Sequence, residues 1–118
     1  INISHNLPQA VIGVGLGCYE DSVHMDFLAR KLWDEVMAVA DARGIATRGY
    51  APTCCSRKNA HLSTLQDLLA KRHTEIDMFA GAMIRMGKEA GIPVPYCEYT
   101  FHAIKALEEK NDGKFDYS

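Results

Sequence analysis

At 118 residues the chain is long enough for one domain and too short for two. Its 47% hydrophobic and 24% charged residues make the balance of a folded globular chain rather than a disordered one. A formal net charge of −2 gives no basic field for nucleic acid. No apolar run reaches the roughly 18–20 residues of a membrane span, because Pro8, Gly13, Gly15 and Gly17 interrupt the longest one.

In chain order, Ile1-Asn2-Ile3-Ser4 has neither an initiator Met nor a basic leader, and reads as the start of a piece excised from a longer chain. A helix here puts Asn2 and Asn6, four residues apart, on one face, where two amides offer donors and acceptors together. Two solvated amides near a chain start are the plainer reading of the residues alone. Gly13-Val14-Gly15-Leu16-Gly17 resembles a phosphate loop only on the surface. It lacks a preceding strand and the full G-x-G-x-x-G spacing, so close packing or a helix end is expected.

From Asp21 to Arg43, Phe27, Leu28, Leu32, Val36, Val39 and Ala40 fall at helical spacing; Asp21 or Ser22 caps the start and Gly44 stops it. Trp33 is expected in the core. Residues 44–56 form a loop, and a helix follows from Lys58 to Lys71. Another runs from Glu75 to Ala90, burying Ile76, Phe79, Ala80, Met83, Ile84, Met86 and Gly87, with Thr74 as N-cap and Asp77 completing a capping box. Pro93 and Pro95 bar helix, which resumes from about Cys97 to Glu109, and a polar tail from Lys110 to Ser118 frays. Val11-Ile12-Gly13-Val14 is the sole strand candidate and is too short to outweigh its helical neighbours. Five helical runs with short loops predict an all-α bundle.

Cys18, Cys54, Cys55 and Cys97 show no CxxC pair and no matching His spacing. They read as reduced thiols of a cytoplasmic protein, with no metal site.

The segments Leu62-Ser63-Thr64-Leu65-Gln66-Asp67, His73-Thr74-Glu75-Ile76-Asp77, the run from Gly81 to Pro95, and Ala103-Ile104-Lys105-Ala106-Leu107-Glu108 follow one another in order, separated by short stretches. In that order they resemble the C-terminal helical domain of ketopantoate reductases (2-dehydropantoate 2-reductases). The resemblance implies a bundle similar to the C-terminal domain of 6-phosphogluconate dehydrogenase, filling residues 1–118 as a substrate-binding domain. It also implies an N-terminal Rossmann domain, absent from this chain, which holds NADP(H). The whole protein would reduce a 2-keto acid, 2-dehydropantoate, to pantoate on the route to pantothenate and coenzyme A, while this piece alone would be inactive.

Carried over by position, Asn2 and Asn6 match two substrate-holding Asn residues, and the general-acid Lys would lie four residues before Asn2. Ser63 matches a ligand of the substrate carboxylate. Glu75 matches the active-site glutamate that meets the Lys and substrate or cofactor. Unaided, Ser63 is a cap or surface residue and Glu75 a first-turn acid favoured by the helix dipole. Gln66 and Asp67 are expected to set local geometry; Arg72 and His73 either solvate a turn or approach cofactor phosphates. Two positions depart from the family: a further Asn that some members carry is replaced by Leu16, and Ala80 precedes Gly81 where many members have Asn. Two other functions stay open, reduction of another small 2-keto acid and a non-catalytic interaction module with a groove of Met78, Met83 and Met86. A homodimer is plausible through the apolar face that a missing domain would uncover.

Overall fold

The computed structural model describes residues 2–45 and 57–117, and of residue 2 the backbone alone. The elements are α1 (Asn2–Ile12), α2 (Cys18–Asp21), α3 (Val23–Ala42), α4 (Ser63–Leu69), a π-helical turn (Asp77–Gly81) that continues into α5 (Ala82–Ala90), and α6 (Pro95–Asn111). Among the described residues there is no strand, and the fold is the expected all-α bundle.

Local chemistry explains most boundaries. Ser22 is extended, and its hydroxyl accepts the Met25 N–H at 3.2 Å to start α3. Pro95 stands first in α6, where its missing N–H breaks no helical bond. Gly91, at φ +72°, closes α5 while Ile92 N–H bonds the Gly87 carbonyl at 2.8 Å, a C-terminal lock that needs a left-handed residue.

Helix α1 is the axis, packing against α3, α4 and α6. Leu7 and Ala10 meet Leu32 and Val39 of α3, Leu65 and Leu68 of α4, and Ile104 of α6. Ile76, Ala80 and Met83 close the same core, each fully buried large side chain contributing roughly 1.5–3 kcal/mol. Because α1 is surrounded, its polar residues are buried too: Ser4, His5, Asn6 and Gln9 are at most 5% exposed. Such groups need partners, and one solution lies at Pro8, inside the helix. The Tyr19 hydroxyl accepts the Gln9 N–H at 3.0 Å and donates to the His5 carbonyl, the two groups that an undisturbed helix pairs directly.

Several boundaries differ from the sequence reading. Helix α4 starts at Ser63 rather than Lys58, since the segment before it lies against the glycine run: Leu16 N–H bonds Ala60 O at 2.9 Å and Gly17 N–H bonds Lys58 O at 3.0 Å. A Cβ on Gly15 would stand 2.1 Å from the Lys58 carbonyl, so close packing is the role of these glycines, while Gly13 (φ +80°) ends α1. The Thr74–Asp77 capping box does not form. Thr74 Oγ1 accepts the Ile76 N–H at 3.2 Å and donates to Glu108 at 2.6 Å, and Asp77 pairs instead with Lys105 at 3.1 Å. The helix expected from Glu75 opens as the π turn, yet its buried face is as anticipated. Helix α6 is longer than predicted, and part of the tail is tied down, with Asn111 Nδ2 donating to Leu68 O at 2.9 Å.

Phe27 is exposed and Trp33 half-buried, both turned aside from the core stripe of α3. Met78 is exposed, Met83 buried and Met86 packed on the core, so the three methionines do not share a groove. Cys18 is half-buried and Cys97 buried; Cys54, Cys55 and most of the 44–56 loop lie outside the described residues.

Candidate functional site

Two amides on α1 grip the chain entering α4. Asn6 Oδ1 accepts the Thr64 N–H at 3.2 Å and faces Ser63 Oγ at 3.4 Å. One turn on, Gln9 Oε1 accepts the Leu62 N–H at 2.8 Å and Gln9 Nε2 donates to Ala60 O at 2.9 Å. The leading N–H groups of a helix have no partner within it, so Asn6 caps α4 from another element. Because a backbone N–H points at it, the gripping atom of Asn6 is its oxygen. The amide nitrogen of Asn6 has no protein partner among the described residues, although the residue is 5% exposed. Ser63 stands exposed beside it.

Ser63 and Asn6, 57 residues apart in sequence, are thus brought together. Asn2 opens α1, but its side chain lies outside the described residues. Glu75 is exposed, and its carboxylate makes no hydrogen bond or ion pair among the described residues, including none to Asn6 or Ser63. Its backbone is firmly held. The Glu75 carbonyl accepts from Met78 N at 2.9 Å and Phe79 N at 3.2 Å, at the mouth of the π turn. On its other side, Glu108 Oε2 accepts both the N–H (2.8 Å) and the hydroxyl (2.6 Å) of Thr74.

Gln66 and Asp67 serve local geometry as expected: Gln66 Nε2 donates to His61 O at 2.8 Å, and Asp67 receives Arg72 Nε at 3.1 Å. His73 Nε2 lies 2.8 Å from Asp112, and that hydrogen bond and charge, joined by Glu108, raise its pKa above the ordinary histidine value. Arg72 and His73 are therefore both engaged within the protein.

Position 80 offers no polar contact, because Ala80 is fully buried. Leu16 packs with Tyr19, Met25 and Ala29 in a small second cluster, so no amide stands there either.

Four residues that hold this arrangement escape the sequence reading: Gln9, Tyr19, Glu35 and Glu108. Glu35, 8% exposed, caps α6 by accepting the N–H groups of Tyr96 (2.7 Å) and Cys97 (2.8 Å). Burial, and then the neighbouring Glu35, push the Cys97 thiol far up, so it stays protonated. A signal for both acids exists. Glu35 falls between Leu32 and Val39, and Glu108 four residues after Ile104, so each is an acid on an apolar helical stripe. Gln9 follows Asn6 by three, on the same face.

Comparison with known proteins adds to this geometry. Residues 1–108 match the family model described as ketopantoate reductase PanE/ApbA C terminal. The 2-dehydropantoate 2-reductase of Pyrobaculum aerophilum is 29% identical over 114 residues, covering 92% of this chain and 40% of the relative. That of Vibrio cholerae serotype O1 is 35% identical over 82 residues, covering 64% of this chain and 28% of the relative. The chain therefore spans less than half the length of these curated relatives. A PanE/ApbA family ketopantoate reductase from Ralstonia eutropha JMP134 shares the fold, with a TM-score of 0.80 at 24% identity over 94% of this chain and 39% of that one. By the match across residues 1–108, the chain belongs to the ketopantoate reductase PanE/ApbA C-terminal family.

Proposed function

We propose that the chain is the substrate-holding helical domain of an NADPH-dependent 2-dehydropantoate 2-reductase in the cytoplasm. The observation that carries this reading is the Asn6–Ser63 pair. Its oxygen side is occupied by α4, accepting from both Thr64 N and, at 3.4 Å, Ser63 Oγ, while the amide NH2 has no partner among the described residues and the exposed Ser63 hydroxyl stands beside it. Neutral donors at one point suit the carboxylate and oxygen substituents of a 2-keto acid. Asn2, four residues before Asn6, adds a second amide in this reading.

Reduction of a ketone needs a hydride at carbon and a proton at oxygen. A nicotinamide nucleotide, when bound, supplies the hydride. Its pyrophosphate finds no cradle in the glycine run 13–17, where the Lys58 segment occupies the space against Gly15 and Gly17. The nucleotide is therefore assigned to a Rossmann domain elsewhere in the whole protein. Glu75 has an exposed carboxylate, unengaged among the described residues, that fits either an ammonium or a ribose hydroxyl. In the first role it keeps a lysine upstream of Asn2 charged and aimed until the ketone oxygen takes the proton.

The test uses the full-length protein with NADPH and 2-dehydropantoate. Glu75→Gln is expected to lower kcat/KM by about a hundredfold without altering the circular dichroism spectrum, because the exposed carboxylate makes no hydrogen bond or ion pair among the described residues. Unchanged turnover would overturn the assignment. The 118-residue chain alone is expected to oxidise no NADPH.

Another small 2-keto acid is the second reading, favoured by Leu16 and the buried Ala80, which withhold one polar contact that some family members have and one that many have. A substrate screen on the full-length protein separates the two. Self-association through the exposed Phe27, Tyr96 and Tyr99 belongs to the same proposal and is read by sedimentation.

A further inference from the structure

Glu108 is 4% exposed and stands where the stripe of Cys97, Thr100 and Ile104 would accept an apolar side chain. A carboxylate so placed is costly unless its bonds are good. Its bonds converge on one short segment. Oε2 takes both donors of Thr74, and Oε1 lies 3.8 Å from His73 Nδ1 and 3.9 Å from Lys105 Nζ. Thr74 Oγ1 in turn receives the Ile76 N–H, and Ile76 is fully buried. Residue 75 thus has an anchored neighbour on each side, while its own exposed carboxylate has no hydrogen bond or ion pair among the described residues.

We propose that Glu108 is a positioning residue for Glu75: by clamping Thr74 to α6 it fixes the direction in which the Glu75 carboxylate leaves the backbone. The proposal rests on the reading of Glu75 as an active-site group. A carboxylate aimed by its backbone alone, with no side-chain support, depends on the segment that carries it. Displacement by a fraction of an ångström therefore reaches the reacting atoms directly.

The experiment is steady-state kinetics of four full-length variants. Glu108→Ala is expected to lower kcat about tenfold or more, with the KM for NADPH unchanged. Glu108→Gln keeps an oxygen able to accept both Thr74 donors and is expected to recover most of that loss. Combining Glu75→Gln with Glu108→Ala should be no slower than Glu75→Gln alone, because the clamp acts only through that carboxylate. A harmless Glu75→Gln overturns the functional reading itself. A crippled Glu75→Gln beside a folded Glu108→Ala of near wild-type kcat, or multiplicative losses in the double variant, overturns the clamp alone. Should Glu108→Ala not fold, Thr74→Val, which keeps the N–H and loses the hydroxyl, takes its place in the same comparison.

Discussion

Two junctions of this bundle solve one problem with different chemistry. Where α1 receives α4, the orphan N–H groups go to neutral amides, Asn6 and Gln9. Where α6 receives α3 and the 74–76 turn, they go to the buried acids Glu35 and Glu108. An ionised carboxylate only accepts, and charge-assisted bonds are about twice as strong as neutral ones, though more expensive to bury. An amide accepts with one atom and still has two hydrogens to give. At Asn6 the amide junction can therefore hold the fold and still have donors to give, without adding negative charge. The acids inside hold the fold, whereas Glu75 is exposed and, in the proposed function, serves the reaction.

The contrast can be broken first at its stronger side. Glu35→Ala leaves the Tyr96 and Cys97 N–H groups without their acceptor and is expected to destabilise the domain by about 3 kcal/mol in urea unfolding. Asn6→Ala, at the neutral junction, should cost only about 1 kcal/mol, the usual value of a lost cap. Equal losses at the two sites would erase the distinction. Asn6→Asp sharpens it: the acceptor for Thr64 persists while the donors vanish and a charge appears. The full-length protein should then fold but show a raised KM for the keto acid, whereas an unchanged KM removes Asn6 from the substrate site.

The smallest effect is at the surface. His73 has a raised pKa through Asp112, so the protonated pair stabilises the fold fully below the unfolded value near 6.5, and that contribution disappears as pH rises through the folded pKa. Asp112→Asn should therefore lower the melting temperature slightly below pH about 6 and leave it unchanged in alkaline buffer.

Much of this architecture was legible as periodicity. The face from Ile76 to Gly87 reads correctly even though its first turn is π rather than α. The Thr74–Asp77 box was misleading for a physical reason. A local pair of groups competes with Glu108 and Lys105, which approach only after α6 has docked, and spacing within one segment contains no information about them. The late start of α4 has a similar origin in the glycine run, which draws residues 58–60 into backbone bonds. At the site, Asn6 and Ser63 were named through family likeness, since no local pattern links residues 57 apart. Gln9 and Glu108 were missed although both broke the apolar stripe of their helices.

The phenol of Tyr19 has a consequence for how α1 moves. Pro8 has no hydrogen to give to the turn before it, and one residue later the hydrogen of Gln9 goes to the phenol oxygen of Tyr19, outside the helix. The turn bearing Asn6 is thereby joined to the turn bearing Gln9 partly through a detachable rivet. Halogenating that ring, or shortening it to leucine, should unlock a swivel at the midpoint of the rod, and deuterium uptake at amide 9 would be the first place to register it.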